Sequence, residues 1–389
     1  MPPPSIPMPS GPTAIRATRL IFLLSGIAMS AWAPMVPYAK TRLGLDDAQL
    51  GLLLLAFGGG SMVSMPFVGW LSHRFGNRRV IVTCGLLLSL ALPALATASH
   101  VITLLVALLY FGVMLGAVDV AMNAHAVEVE RMERRVLMSG FHGLFSVGGL
   151  AGAAGMSAML ALGVPLMASS VVVTALIVVI VLTQRSGLLP GVARDDVKDS
   201  VFRVPGLLVI LLGMLCFVSF LAEGSMLDWS AVFLRDFRGF TAAGAGIGYA
   251  CFSVAMAAGR LTGDQVVQRI GPEWAVRGGA LLAATGFLLA AGIAWPGASL
   301  FGFVLIGLGA SNIVPVMFSA AGHMPGASPA ISIATVTTLG YAGLLSGPAL
   351  IGFISHGSSL PMALGTVSGM LMLVAGAARI VRPRQEKTA

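Results

Sequence analysis

Four ionisable side chains, Asp119, Glu223, Asp228 and Arg260, stand inside long apolar runs of this sequence. Placing such a group in hydrocarbon costs about 2.5–3.5 kcal/mol on insertion scales, so each calls for a task that offsets the cost. A carboxylate there can take up and release a proton, and a guanidinium can hold a carboxylate. Asp119 has Asn123 at i+4, on the same helix face. Glu223 stands in "AEGS", where small neighbours leave space and allow a bent or partly unwound backbone. Asp228 and Trp229 follow toward the end of the same run. Arg260 has Asp264 at i+4, which leaves two pairings open: a local ion pair, or a gate partnership with Asp119 at similar estimated depth. Glu223 and Asp119 are thus the candidates for carrying a coupling proton, and Arg260 and Asp264 are gating candidates.

Weaker polar and aromatic positions complete a candidate cavity. They are Trp32, Asn123, Tyr249 and Asn312, added to Glu223, Asp228 and Trp229; Pro315 follows Asn312 and frees a backbone carbonyl one turn back. His142, about one turn inside its run, can pair or titrate and joins the gating group. The sequence shows no nucleophile triad, metal-binding cluster or phosphate loop, so neither an enzyme, a metal nor a cofactor is expected. Cys84, Cys216 and Cys251 lack metal-ligand spacing and read as small buried apolar residues.

A second cluster is "GWLSHRFGNRR", which places His73, Arg74, Arg78 and Arg79 between and after Gly69 and Gly76. The glycines allow close helix approach and a tight turn, and the arginines can reach carboxylates, carbonyls or lipid phosphates.

These residues need apolar elements to hold them. The 389-residue chain is 57% hydrophobic and 10% charged, with a mean hydropathy of +0.93. Apolar runs of about 20 residues, long enough to span a hydrocarbon core, recur along the whole length. Twelve spans are expected, near 20–39, 50–71, 80–99, 101–125, 138–161, 164–184, 204–233, 242–263, 275–294, 299–321, 329–354 and 359–380. Unbroken apolar runs without alternation make them helices, the form that satisfies its own backbone in lipid. With the N-terminus inside, the outer segments hold only Lys40, Arg42, Arg235 and Arg238 of the 23 basic residues, so both termini face the cytoplasm. The net charge of +8 then reports orientation, and nucleic acid is not an expected partner.

Shifting the sequence by 195 residues aligns Gly44 with Gly239, Ala48 with Ala243, Gly51 with Gly246, Phe57 with Phe252, Arg74 with Arg269, Gly76 with Gly271, and Gly112 with Gly307. An ungapped shift of half the chain indicates two related six-helix halves. The expected organisation is a proline-rich disordered stretch at 1–16, an N-terminal half at 17–184, a polar cytoplasmic linker at 185–203, a C-terminal half at 204–381 and a cytoplasmic tail at 382–389.

Two parallel six-helix halves, a basic inner loop after the second helix of each, and a polar central loop resemble the major facilitator superfamily of secondary transporters. The family's loop pattern G-x-L-[AS]-D-R-x-G-R-[RK] is matched by Gly69, Leu71, Ser72, Arg74, Gly76 and Arg78, with His73 and Asn77 departing from it. The resemblance implies that this loop clamps the cytoplasmic side. "DVAMNAHAVEVE", "SGFHGLFSVGGLAGA", "FLAEGSMLDWSAVFL" and "GRLTGD" are similar to sugar-permease-like and uncharacterised inner-membrane members. An arginine in the fourth helix and the Gly-Pro pair of drug-proton antiporters are missing.

The expectation is an all-α membrane protein with twelve transmembrane helices in two pseudo-symmetric halves. It would be a monomeric secondary active transporter of the bacterial inner membrane, moving a small solute by alternating access with proton coupling. The alternatives are an exporter of amphipathic compounds and a non-transporting membrane receptor.

Overall fold

A computed structural model of the chain describes residues 9–190, 206–241, 244–324 and 328–382. The helices are α1 (Gly11–Ala31), α2 (Val36–Leu43), α3 (Asp47–Phe75), α4 (Asn77–Leu88), α5 (Ala91–Thr97), α6 (Val101–Glu133), α7 (Met138–Ala161), α8 (Leu166–Gln184), α9 (Leu207–Arg238), α10 (Ile247–Ile270), α11 (Pro272–Gly292), α12 (Pro296–Ala310), α13 (Ile313–Gly322), α14 (Pro329–Gly357) and α15 (Leu360–Ala377). Among the described residues there is no strand. Three pairs, α1 with α2, α4 with α5 and α12 with α13, are single spans interrupted at Ala33–Met35, at Ser89–Leu90 and at Ser311–Asn312. The first break carries Pro34, and the last precedes Pro315, whose missing N–H leaves a carbonyl free one turn back.

Among the described residues, eleven spans are long and apolar enough to cross a membrane. The twelfth expected span is α10, 24 residues long, whose C-terminal half carries Arg260, Asp264, Gln265, Gln268 and Arg269 and is correspondingly polar. The stretch at 1–16 ends sooner than expected: the first helix begins at Gly11, with Pro12 in the first turn, where a fixed φ suits helix entry. α8 ends at Gln184, where the expected linker starts; Leu188 and Leu189 are buried, and 191–205 and 383–389 lie outside the described residues. The partial unwinding that small residues around Glu223 would allow is not taken up: α9 is continuous, and Gly224 packs beside Leu344.

The helices gather into two compact units: residues 1–135, 144–204 and 327–334 in one, and 136–143, 205–326 and 335–389 in the other. The first turns of α7 and α14 therefore cluster apart from the rest of their helices, which a cut at the linker would not give.

Each unit repeats the other in detail. Gly76 ends α3 at φ 82° and Gly271 ends α10 at φ 81°, a region where a side chain would be strained. Gly112 of α6 lies against the Phe57 carbonyl of α3, and Gly307 of α12 lies against the Phe252 carbonyl of α10, so both contacts follow the 195-residue shift. One register further, the small partners trade sides: Ser64 sits over Gly116, whereas Ser311 sits over Gly259. Of the other aligned pairs, Ala243 and the side chain of Ala48 lie outside the described residues.

Two of the four cations expected on the outer side act as helix caps. Arg42 donates to the carbonyls of Leu95, at 2.9 Å, and Ala96 at the end of α5. Arg238 donates to Ala290 at 2.7 Å and Ala291 at 3.2 Å near the end of α11. A cation at a helix C-terminus satisfies free carbonyls and opposes the macrodipole, so both halves close their third span the same way.

Candidate functional site

The second unit holds eight of the seventeen expected site residues, Glu223 and Arg260 among them. Arg260 Nη2 lies 3.2 Å from Glu223 Oε2, an ion pair between α10 and α9 whose side chains are 7% and 28% exposed. This partner is one that sequence spacing did not raise. Glu223 stands sixteen residues above the start of α9 and Arg260 ten above the end of α10, about 24 and 15 Å at 1.5 Å per residue. The long arginine side chain bridges that offset. Tyr249, on the same helix as Arg260, lies within electrostatic range of Glu223, Arg260 and Asp228. His142, buried in the first turn of α7, faces Arg260 electrostatically and packs its ring 5.6 Å from Phe318.

Asp264 accepts from Gly140 N–H at 3.1 Å, so it caps the N-terminal end of α7 from α10. Asn312 sits at the break before α13 and donates to Gly259 O at 3.2 Å and Ser311 Oγ at 3.0 Å. Asp228 is exposed near the end of α9. Trp229 packs beside Gly352 and keeps its indole N–H buried without a protein acceptor.

In the first unit, Asn123 donates to the Asp119 carbonyl at 2.9 Å and carboxylate at 3.3 Å, so the i+4 pair forms as spaced. Trp32 closes α1 with its indole N–H likewise buried and unbonded. Gly69 packs on Ala334 of α14. His73 shares a 3.1 Å hydrogen bond with Ser328, the residue that precedes α14. The position that departs from the loop pattern therefore meets a helix N-terminus. Arg74 is exposed and lies over the Trp70 and Phe75 rings at 5.9 and 5.6 Å. Arg78 is half-buried and Arg79 exposed. Asn77, the other departure, is buried and donates to Glu128 at 3.0 Å.

One residue carried no expectation. His125 is fully buried because α6 runs to Glu133, well past the apolar run that marked its end. Its Nε2 accepts from Leu189 N–H at 2.9 Å, which makes Nδ1 the protonated nitrogen facing Thr18 Oγ at 3.2 Å. It thus ties α6 to α1 and to the segment leaving α8. His125→Ala is expected to lower stability by about 2–3 kcal/mol through two lost bonds and a cavity. A thermal melt in detergent reads this, together with faster protease cutting after Gln184; an unchanged melt would deny His125 that role.

Comparison with known proteins fits this architecture. The Major Facilitator Superfamily profile matches residues 20–343. An uncharacterised MFS-type transporter of Yersinia pestis is 48% identical over 365 residues, covering 94% of this chain and 95% of the relative. Membrane protein MosC of Rhizobium meliloti is 31% identical, over 94% and 90%. Among solved structures, the MFS transporter FucP in the outward conformation superposes with a TM-score of 0.82 at 17% identity, covering 95% of this chain and 99% of FucP. The human organic anion transporter MFSD10 reaches 0.77, also at 17% identity, over 96% and 100%. The all-helical spans, the internal repeat and these matches together establish that the chain is a multi-pass membrane protein belonging to the Major Facilitator Superfamily.

Proposed function

We propose that the chain is a secondary active transporter of the bacterial inner membrane, both termini cytoplasmic, that couples movement of a small polar solute to protons through Glu223. The observation that carries this reading is the Glu223–Arg260 ion pair between α9 and α10, with the guanidinium nearly buried. Protonating Glu223 removes the negative charge that compensates a nearly buried guanidinium, a change costly enough to drive rearrangement. A proton can then be exchanged for a new partner of Arg260 or a new helix arrangement. FucP and XylE, two structural neighbours, are described as proton symporters, which agrees with such coupling.

The buried indole N–H groups of Trp32 and Trp229 support a polar solute, since among the described residues neither has an acceptor, which a solute hydroxyl or carboxylate could supply. Asp264 on Gly140 N–H and His73 on Ser328 suit an inner gate, because both bonds hold helix N-terminal ends and must open if those ends move. Asp119, with Asn123, is the second proton candidate.

The test has two steps. Small polar solutes are screened by thermal stabilisation of the purified protein, since a ligand of the folded form raises its melting point. The stabilising solute is then offered to proteoliposomes under an imposed pH difference. Uphill accumulation that collapses with a protonophore is the expected result. Accumulation driven by sodium alone would overturn proton coupling, and binding without any flux would favour a receptor.

A further inference from the structure

Near the start of α11, one nearly buried carboxylate collects three guanidiniums. Glu273, 8% exposed, pairs with Arg277 at 3.0 Å, with Arg379 at 3.9 Å, and with Arg382 directly. Arg277 is fully engaged: its Nε donates to Ala375 O at 3.2 Å, and its guanidinium lies 5.1 Å from the Trp274 ring. Arg379 and Arg382 are 74% and 61% exposed, so they keep donors turned outward. Among the described residues, one negative charge faces three positive ones, and the sequence has no Asp or Glu from 274 to 385. Mutual repulsion of the guanidiniums leaves this place short of an anion.

The architecture does not require the arrangement. The 195-residue shift sets Arg78 opposite Glu273, Arg79 opposite Trp274, Gln184 opposite Arg379 and Gly187 opposite Arg382, so the other half folds without it. Trp274 adds the second observation. Its indole is 58% exposed two residues into the span Pro272–Gly292, at the level where amphipathic rings sit between headgroups and hydrocarbon.

We propose that Arg379, Arg382 and Trp274 form a binding site for the phosphodiester headgroup of an anionic phospholipid, in the leaflet that meets the start of α11. Arg379 and Arg382 take the phosphate oxygens, a match for the planar guanidinium fork, and Trp274 lies along the glycerol and upper acyl chain. Glu273 and Arg277 are positioning residues. A free phosphate would use the arginines alone and leave the indole exposed.

The full-length protein in neutral detergent is mixed with phosphatidylglycerol, phosphatidylcholine or inorganic phosphate and examined by native mass spectrometry. Retained phosphatidylglycerol is expected to exceed phosphatidylcholine by roughly tenfold and to fall by a similar factor in Arg379→Ala/Arg382→Ala. The same changes at the exposed Arg16 and Arg19 should leave it unaltered. Independently of any arginine variant, brominated phosphatidylglycerol should quench tryptophan fluorescence of the native chain more than brominated phosphatidylcholine does, and Trp274→Phe should remove that difference. Equal retention of the two lipids, an equal loss from the Arg16 and Arg19 variant, or quenching indifferent to Trp274→Phe would each overturn the proposal. Competition by millimolar inorganic phosphate that empties the site would identify a free-anion site instead.

Discussion

Glu223→Gln is expected to reduce pH-driven solute accumulation at least roughly tenfold while counterflow exchange continues. The amide keeps the shape of a protonated carboxyl and cannot release a proton, so the carrier is fixed in one protonation state. Arg260 then has a neutral neighbour in place of the carboxylate 3.2 Å away. Removing one member of a buried ion pair costs about 3–5 kcal/mol when the other remains charged. Glu223 is 28% exposed, which places the cost near the lower end of that range. Arg260→Gln is expected to impair both assays, and exchanging the two residues, Glu223→Arg with Arg260→Glu, should recover part of the loss. Vesicles of Glu223→Gln that still concentrate solute against its gradient under an imposed pH difference would refute the assignment and move attention to Asp119.

Gly112→Leu and Gly307→Leu should each abolish monodisperse, folded protein. A side chain at either position meets a helix carbonyl of the neighbouring span, Phe57 or Phe252, and backbone atoms cannot retreat as a flexible side chain would. Overpacking of an interior commonly costs about 1–3 kcal/mol, and direct overlap with a backbone exceeds that. Gly155→Leu is the matched control, because an added Cβ there meets open space. Size-exclusion profiles of the three variants decide the matter: a normal profile for Gly112→Leu or Gly307→Leu would mean that these helices do not pack through their glycines.

The repeat was legible from residue identities because glycines at turns and crossings answer to backbone geometry. Gly76 with Gly271 and Gly112 with Gly307 sit in equivalent conformations and contacts. The spans were legible for a similar reason, since length and apolarity alone decide what can cross lipid. Pairing between helices was not, because it depends on how each helix is rotated about its axis. Spacing offered Asp264 and Asp119 for Arg260, and the structure supplies Glu223 across a helix interface. His125 stands at the end of the expected span 101–125, yet α6 continues through "EVERME" to Glu133, so this histidine is interior. The charged continuation, with Glu and Arg three and four residues apart, was the available signal for a longer helix.

The capping arginines bear on how the chain is made. Arg42 precedes its carbonyl partner Ala96 by 54 residues, and Arg238 precedes Ala290 by 52. At about 5–20 residues synthesised per second, each guanidinium waits on the order of 3–10 s after its own synthesis before the carbonyls it caps exist. In the proposed orientation both cations are carried outward through the membrane during that interval, against the usual topology signal, with their acceptors still inside the ribosome or not yet translated. Insertion of the first and seventh spans is thus delegated to the apolar helices behind them. Each half therefore stays uncapped until its third span emerges.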